Sequence, residues 1–257
     1  MDLRFDRRSA LVTGGNMGIG YAVAKAFSKA GADVHILSES KSVFEAAGTL
    51  TAETGHMVEG IICDITDRAA VEATAAALPF IDVLVNNAGL EGLTWIDDGA
   101  SEVFATVERI LRINVTGTWS LTEAVIPKLK RGGSIICTAS IWSRTAEAGF
   151  SAYAASKHAT LGLVRAWAKE LAPRGIRVNA VAPGWVRTEG ALRSLDNLVT
   201  LTGETKEALL EKVTSAQALP GFIEPDDVSG AYLFLASELA SSITGQSIQV
   251  DRGAFSA

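Results

Sequence analysis

A tyrosine and a lysine, Tyr153 and Lys157, stand four residues apart in a stretch with helical patterning, thirteen positions after Ser140. On a helix, residues four apart share one face, so the phenol and the ammonium can converge on one point. An ammonium about 4 Å from the phenol would favour the phenolate by roughly 4 kcal/mol at an effective dielectric constant of about 20. Such a phenol could exchange a proton with an alcohol, while the Ser140 hydroxyl holds the substrate oxygen.

A glycine-rich segment near the start of the chain separates a predicted strand from a predicted helix. It runs Thr13-Gly14-x-x-x-Gly18-x-Gly20 and opens an amphipathic pattern over residues 18–30. Glycines let the backbone turn sharply and approach a pyrophosphate closely. A helix N-terminus adds free N–H groups and the positive end of its dipole. The segment therefore predicts a dinucleotide site, and together with the tyrosine it indicates hydride chemistry.

The elements that must position these residues alternate between short apolar runs and longer helical stretches. The predicted strands cover residues 10–13, 34–37, 61–63, 81–85, 134–138, 178–181 and 247–250. Long helices are predicted over residues 101–130 and 153–172. Strands that are apolar nearly throughout, joined by helices, indicate a parallel sheet covered on both faces. We expect an α/β, doubly wound parallel sheet (a Rossmann fold) of about seven strands, forming a single domain over residues 1–257.

One irregular region interrupts this alternation after the sixth predicted strand. Residues 187–224 contain several Gly and Pro positions around a polar helical piece at 204–217. We expect an insertion that could cover a site at the carboxyl ends of the strands and serve as a substrate loop.

Composition narrows the class of protein. The chain has 257 residues, 48% of them apolar, and a net charge of -6, which provides no electrostatic footprint for nucleic acid or an anionic membrane. No apolar run reaches membrane-spanning length, and the charged N-terminus lacks the apolar core of a signal peptide. Cys63 and Cys137 fall in strand-like runs, which predicts small buried thiols and a reducing cytoplasm. His35, His56 and His158 lack ligand-like spacing, so no metal site is expected.

The order and spacing of these motifs resemble the short-chain dehydrogenase/reductase family over almost the whole chain. The resemblance rests on the glycine segment, Asn86-Asn87-Ala88-Gly89, Ser140 with Tyr153 and Lys157, Pro183-Gly184 followed by Thr188, and Thr244-Gly-Gln with Val250-Asp251. It implies an NAD(P)-dependent oxidoreductase that transfers hydride between nicotinamide and the carbinol or carbonyl carbon of a secondary alcohol or ketone. It also implies a homotetramer.

The resemblance assigns roles to individual residues. The implied catalytic residues are Asn114, Ser140, Tyr153 and Lys157. Tyr153 would be the general acid/base, Lys157 would also hold the nicotinamide ribose, and Asn114 would organise a water beside Lys157. The cofactor would contact Tyr153 and Lys157 together with Gly14, Asn16, Met17, Gly18, Ile19, Gly20, Ser38, Glu39, Asp64, Ile65, Asn87, Ala88, Gly89, Pro183, Gly184, Val186 and Thr188.

The residues after the second predicted strand favour NAD over NADP. Glu39 lies nineteen residues after Gly20, where a carboxylate can accept hydrogen bonds from the adenosine ribose and repel a 2′-phosphate. Position 17 is Met rather than a basic residue. Lys41 favours NADP, because a lysine could bind the 2′-phosphate. NAD-preferring relatives also often carry Asp at the place of Ser38, so NADP stays possible.

Aromatic and acidic side chains follow the fourth, fifth and sixth predicted strands, in loops that we expect to meet at the carboxyl ends of the sheet. They suggest a substrate pocket there. The candidates are Ser140, Glu91, Trp95, Trp142, Glu147, Phe150 and Trp185. Aromatic rings with a carboxylate suit a sugar or polyol, whereas an apolar wall alone suits a cyclic, aromatic or steroid alcohol or ketone. The tryptophans could equally pack in the core or between subunits.

Two other classes of function stay open. A non-catalytic dinucleotide-binding regulator could use the same fold, although it has no physical need for the phenol, ammonium and hydroxyl in register. A nicotinamide-retaining isomerase or epimerase usually needs a larger substrate domain, which only residues 187–224 could supply.

Overall fold

One parallel β-sheet organises the part of the chain that the structure describes, residues 3–255, in a computed structural model. Its spatial order is β3-β2-β1-β4-β5-β6-β7. The strands are β1 (Ser9–Thr13), β2 (Asp33–Ser38), β3 (Val58–Ile62), β4 (Ile81–Asn86), β5 (Leu129–Thr138), β6 (Arg177–Pro183) and β7 (Ser247–Val250). The chain order reverses direction between β1 and β4, which creates a crevice at their carboxyl ends. The predicted doubly wound α/β fold is confirmed.

Helices cover both faces of the sheet. They are α1 (Gly18–Lys29), α2 (Ser42–Thr54), α3 (Arg68–Ala77), α4 (Ser101–Leu111), α5 (Thr118–Val125), α6 (Ser151–Leu171), α7 (Glu189–Thr202), α8 (Lys206–Ser215) and α9 (Pro225–Ala236). One apolar core joins the sheet to α1, α2 and α9, and a second joins it to α3, α5 and α6. Both faces of the central strands are therefore buried, which is why their sequences are almost continuously apolar.

The prediction of one continuous helix over residues 101–130 is wrong. The chain forms α4, a π-helical segment at Arg112–Gly117, α5 and a 3-10 turn at Ile126–Lys128, and β5 already begins at Leu129. Gly117 permits a close approach, because a Cβ there would lie 3.0 Å from the Ile65 side chain. Such π-helical turns interrupt regular helices at sites that aim a particular side chain.

Two further boundaries differ from the sequence prediction. The third strand covers Val58–Ile62 rather than residues 61–63, because β3 is an edge strand whose Glu59 and Ile62 are exposed, so its pattern is not uniformly apolar. The segment after β6 contains two helices, α7 and α8, where the sequence predicted a single piece at 204–217.

The missed helix α7 has clear local determinants. The Thr188 hydroxyl accepts a hydrogen bond from the Ala191 N–H at its start, and Gly203 ends it in the left-handed conformation at φ +71°. Leu195 is the buried residue of α7, and Leu209 is that of α8. These two helices therefore contribute little to the apolar core.

Candidate active site

The glycine segment forms a tight turn between β1 and α1. Gly14 and Gly18 adopt positive φ values of +62° and +56°, which side chains with a Cβ rarely tolerate. A Cβ on Gly20 would lie 2.1 Å from the Gly14 carbonyl oxygen, so only glycine fits there. Met17 supplies no side-chain cap to α1, whose first-turn N–H groups face the crevice. This cradle of bare backbone at a helix N-terminus fits the pyrophosphate of a dinucleotide.

The loop after β4 is tied to the glycine turn. The N–H groups of Asn87 and Ala88 both donate to the Thr13 hydroxyl at 2.9 Å. The Asn87 side-chain amide donates to the carbonyl oxygens of Thr13 and Gly14 at 3.1 and 3.3 Å. These bonds place Gly89 beside the turn and connect the predicted cofactor loops of β1 and β4.

The segment after β6 forms the opposite wall of the crevice. The Thr188 methyl group lies 3.3 Å from where a Cβ of Gly18 would be. Val186 is buried and forms a β-bridge with Ile223, while Gly184 packs closely on Asp251. Pro183, the last residue of β6, is buried. The ends of β1, β4 and β6 thus meet around one cleft.

The end of the cleft next to β2 is polar. Ser38 is buried, and Glu39 and Lys41 are exposed. The Asn16 amide donates to the Ser42 hydroxyl at 3.0 Å, which joins the glycine turn to the start of α2.

In the loop that follows the neighbouring strand β3, Asp64 accepts hydrogen bonds from the N–H and the hydroxyl of Thr66, both at 2.8 Å. Ile65 is buried against Gly117. The predicted adenosine-side residues therefore share one edge of the sheet.

Ser140, Tyr153 and Lys157 lie together at the end of β5 and the start of α6. The Tyr153 hydroxyl is hydrogen-bonded to Ser140. The Lys157 ammonium lies 5.5 Å from the centre of the Tyr153 ring and donates to the Thr138 carbonyl oxygen at 2.7 Å. The spacing-based prediction that these side chains share one face of a helix matches this geometry.

The electrostatics of Tyr153 differ from the sequence expectation. Burial raises the pKa of Tyr153 well above its usual range, and the negative charge of Glu91 raises it further, while the hydrogen bond from Ser140 opposes both. Burial also lowers the pKa of Lys157 to about 8. In the protein alone, the pKa of Tyr153 is therefore raised rather than lowered, because burial of the phenol and the nearby charge of Glu91 both disfavour the phenolate.

Asn114 lies in the π-helical segment and is buried. Its side-chain oxygen accepts from the Leu90 N–H at 2.7 Å, and its amide donates to the Leu90 carbonyl and the Ser156 hydroxyl, each at 2.9 Å. In this arrangement Asn114 clamps the loop that follows Gly89. A Cβ on Gly89 would lie 3.3 Å from the Asn114 oxygen and 3.7 Å from the Lys157 ammonium.

Two residues that the sequence did not single out support this centre. Thr138 bridges it, since its carbonyl accepts from Lys157 and its hydroxyl donates to Asn87 at 3.1 Å. Ser156 receives the Asn114 amide and in turn donates to the Tyr153 carbonyl at 2.7 Å. The available signal was their position in the sequence, since Thr138 is two residues before Ser140 and Ser156 directly precedes Lys157.

Besides Ser140, three of the predicted substrate residues lie on the Tyr153 side of the site. The Trp142 ring packs edge-on against Tyr153 with 5.8 Å between centres, and Phe150 lies 4.8 Å behind Trp142. Glu91 is half-buried, and its burial raises the pKa of its carboxyl, opposed by a hydrogen bond from Ser194 of α7 and by the charge of Lys157. An aromatic wall and a carboxylate therefore adjoin the phenol.

The structure does not bring the other predicted substrate residues into this group. Trp95 packs on Gly149, where a Cβ would lie 2.7 Å from its ring, and its indole N–H is buried without a partner. Glu147 is exposed on the loop before α6. Trp185 pairs instead with Phe222, at 5.9 Å between ring centres.

Residues 3–255 contain neither a cluster of candidate metal ligands nor a helix that could span a membrane. Within that range, no group of three or more His, Cys, Asp or Glu side chains could hold a metal ion. None of its helices is both long and apolar enough to cross a membrane.

A doubly wound sheet with a phosphate cradle and a Ser–Tyr–Lys cluster at its carboxyl edge defines a dinucleotide-dependent oxidoreductase. The family model described as enoyl-(acyl carrier protein) reductase matches residues 14–254. The chain belongs to the short-chain dehydrogenase/reductase family, whose members act on CH–OH or carbonyl groups.

Individual relatives cover nearly the whole chain. The human dehydrogenase/reductase SDR family member 4 is 37% identical over 95% of this chain and 86% of its own length. The 3-oxoacyl-[acyl-carrier-protein] reductase FabG of Aquifex aeolicus is 33% identical over 99% of this chain and 100% of its own. A candidate NAD(P)-dependent gluconate 5-dehydrogenase from Beutenbergia cavernae, whose crystal structure contains NADP at low occupancy, is 33% identical with a TM-score of 0.87, covering 99% of both chains.

Proposed function

We propose that this protein is an NAD(P)-dependent dehydrogenase/reductase of a hydroxylated secondary alcohol or ketone, a sugar or polyol, with Tyr153 as the general acid/base. The observation that carries the proposal is the placement of the Tyr153 hydroxyl against Ser140 and below the Trp142 and Glu91 wall. We further propose that residues 1–257 act as one catalytic domain, with residues 187–224 as its substrate loop.

The reaction follows from the roles that these side chains can take. The bound nicotinamide supplies or accepts the hydride at the carbinol carbon. Ser140 hydrogen-bonds the substrate oxygen and aligns it with the Tyr153 hydroxyl, which gives its proton during reduction and accepts one during oxidation. The Lys157 ammonium, held by the Thr138 carbonyl, stabilises the phenolate while it exists. Asn114 positions the Gly89 loop, and a water beside Lys157 would connect the proton to solvent.

The carboxylate of Glu91 supports a substrate with several hydroxyl groups. A half-buried carboxylate that already accepts a hydrogen bond from Ser194 can accept one from a substrate hydroxyl instead. The gluconate 5-dehydrogenase candidate among the relatives supports a substrate with several hydroxyl groups, although gluconate, unlike the substrate proposed here, carries a carboxylate. A carboxylate here disfavours anionic substrates, so we propose a neutral sugar or polyol.

Glu91→Gln is expected to raise KM for a polyol by about tenfold, because a hydrogen bond to a charged group contributes about 1.5–3 kcal/mol. It should also move the pH profile of alcohol oxidation towards lower pH, since the negative charge that helps to raise the pKa of Tyr153 is gone. Steady-state kinetics across pH test both effects. Glu147→Gln, at an exposed glutamate nearby, is the matched control. An unchanged KM and profile in Glu91→Gln would contradict this role.

An apolar cyclic, aromatic or steroid substrate is the second candidate, and the Trp142–Phe150 pair favours it. The Trp142 ring offers flat apolar surface next to Tyr153, and the buried Phe150 ring supports it from behind. If Glu91→Gln improves turnover of cyclic ketones and leaves polyol turnover undetectable before and after substitution, this candidate is preferred.

For the cofactor, we propose a preference for NAD. Glu39 is exposed at the end of β2, in position to accept hydrogen bonds from the ribose hydroxyls and repel a 2′-phosphate. Lys41 and the serine hydroxyls around it could instead bind the 2′-phosphate of NADP. The NADP in the Beutenbergia cavernae relative also supports use of NADP.

Glu39→Ala is expected to raise the ratio of NADP to NAD specificity by roughly tenfold or more, because it removes ribose hydrogen bonds and a repulsive charge together. The ratio of kcat/KM for the two nucleotides measures the change. Glu45→Ala, at an exposed carboxylate in the first turn of α2, should leave the ratio as it is. An unaltered ratio in Glu39→Ala would remove Glu39 as the ribose reader.

We also propose a homotetramer, supported by apolar side chains exposed on α4 and α5. Phe104 is 65% exposed, Trp119 44% and Leu111 38%, which is costly for a surface that faces only water. Light scattering should show a tetramer, and Phe104→Glu should yield smaller assemblies. Phe44→Glu, at an exposed phenylalanine of α2, is the control. A monomer at micromolar concentration would contradict the proposal.

A cytoplasmic location is proposed on the state of the two cysteines. Cys63 and Cys137 are free and buried, and burial raises the pKa of Cys137 to about 11, which suits an unreactive thiol in a reducing compartment. Fractionation that recovers the protein in an oxidising compartment would contradict this location.

A further inference from the structure

A groove on the outer side of α6 has a charge composition opposite to that of the whole chain. It encloses about 570 Å³ between the second half of α6 and the segment leading into β7. The chain carries 29 acidic and 23 basic residues, yet the lining contains Arg144, Arg165 and Lys169 and no Asp or Glu. Along the described chain, Arg165 and Lys169 form no ion pair. Three cations thus surround one groove without an acidic partner.

The floor of the groove is apolar and its far wall is polar. Leu161, Val164 and Ala168 of α6 line the floor and belong to the core beneath the sheet. On the far wall, the Ser247 hydroxyl is buried with no hydrogen-bond partner. The Arg144 guanidinium reaches across the groove and donates a long hydrogen bond of 3.5 Å to the Ser247 carbonyl oxygen. A donor without an acceptor and cations without counterions leave the site short of negative charge.

We propose that this groove binds a small organic carboxylate with a short aliphatic tail. Arginine presents paired donors that match both oxygens of a carboxylate, and Lys169 adds a point charge. The tail lies on Leu161, Val164 and Ala168. The enclosed volume is within the roughly 300–1,000 Å³ of small-molecule sites. This ligand is distinct from the oxidoreductase substrate, since none of the lining residues touches the phenol of Tyr153.

The position of the groove connects it to the catalytic centre. Leu161 lies one helical turn after Lys157 on α6, and Arg144 follows Ser140 by four residues. A carboxylate held here contacts the same helix and the same loop that position the proton-transfer residues. We therefore expect a bound carboxylate to stabilise the folded protein whether or not a substrate is present.

Calorimetric titration of the full chain with hexanoate, in saturating NAD so that the nucleotide cleft is filled, tests the proposal directly. Hexanoate should bind. Hexanol should bind at least about tenfold more weakly because it carries no charge, and inorganic phosphate should bind weakly because it has no aliphatic tail. The double variant Arg165→Gln/Lys169→Gln should lose about tenfold or more in hexanoate affinity. Lys29→Gln, at an exposed lysine of α1, should match the wild type.

Three results would overturn the proposal. They are no heat with hexanoate, equal affinity for hexanoate and hexanol, or equal hexanoate affinity in the double variant and the wild type. Thermal unfolding checks that the double variant is folded, and the single Arg144→Gln variant repeats the test if it is not. Light scattering then compares the size of the assembly in the double variant and the wild type. A smaller assembly in the double variant, together with no hexanoate binding by the wild type, would overturn the proposal and identify the groove as a contact between subunits.

Discussion

Tyr153→Phe is expected to lower kcat by roughly 10²–10⁴-fold, the usual contribution of a positioned general acid/base. The substitution removes only the hydroxyl that is hydrogen-bonded to Ser140. The ring remains to pack edge-on against Trp142, so the folded structure and the aromatic wall should persist. Nucleotide affinity should change little, because the glycine turn and the Asn87 loop that hold the nucleotide are untouched. Steady-state rates and nucleotide titration measure the two effects separately.

Tyr21→Phe is the matched control, because it also removes a tyrosine hydroxyl but at a position outside the Ser140–Tyr153–Lys157 cluster. Tyr21 lies on α1 and is hydrogen-bonded to Glu53, away from Ser140. Its substitution should keep full activity. If Tyr153→Phe turns over substrate at the wild-type rate, proton transfer does not pass through this phenol and the proposed mechanism fails.

Gly20→Ala is expected to weaken nucleotide binding by about 10- to 100-fold, since overpacking a fixed site costs about 1–3 kcal/mol. The added methyl would lie 2.1 Å from the Gly14 carbonyl oxygen and 2.5 Å from the Asn87 side-chain amide. The turn must open to accommodate it, which breaks the link between the β1 and β4 loops. Fluorescence or calorimetric titration with NAD measures the loss.

Gly48→Ala is a matched control for a glycine replaced by alanine. A Cβ on Gly48 meets nothing within 4 Å in the middle of α2, so affinity should be unchanged and helix propensity slightly improved. Thermal unfolding of both variants separates a local opening of the turn from loss of the fold. Wild-type NAD affinity in a folded Gly20→Ala variant would mean that the cradle does not hold the pyrophosphate.

The sheet was predictable because its strands are buried on both faces. Strands such as β1, all five residues of which are buried, leave an unmistakable apolar run, and the glycine turn between β1 and α1 has a fixed pattern. Edge strand β3 was placed less well, since it buries only part of its length. Helix α7 was missed because residues 187–224 contain several Gly and Pro positions, although Gly190 lies in the first turn of the helix, where a glycine is tolerated.

The chemistry was predictable in residue type but not in environment. The four-residue spacing of Tyr153 and Lys157 predicts their convergence, but no spacing reveals that burial moves both pKa values against the charged forms. Asn114 was placed in an ordinary helix because a π-helical turn has no sequence pattern distinct from an α-helix. Its partner, Leu90, is 24 residues away, and contacts at that range depend on the folded sheet.

The aromatic residues illustrate the same limit. Trp95, Trp142 and Trp185 each lie in a loop that follows a strand, yet of the three only Trp142 contacts Tyr153. The other two turn towards Gly149 and Phe222. The path of the loop backbone decides which ring enters the pocket. The residues next to each tryptophan in the sequence do not determine that path.

The most direct test of the account is formation of reduced nicotinamide by wild-type protein with a panel of neutral sugars, polyols, cyclic alcohols and hydroxysteroids, with NAD and NADP in parallel. The account predicts turnover of a hydroxylated substrate, faster with NAD, and its loss in Tyr153→Phe. Tight nucleotide binding without turnover of any alcohol, or of its ketone in the reverse direction, would contradict it and identify the protein as a dinucleotide-binding regulator.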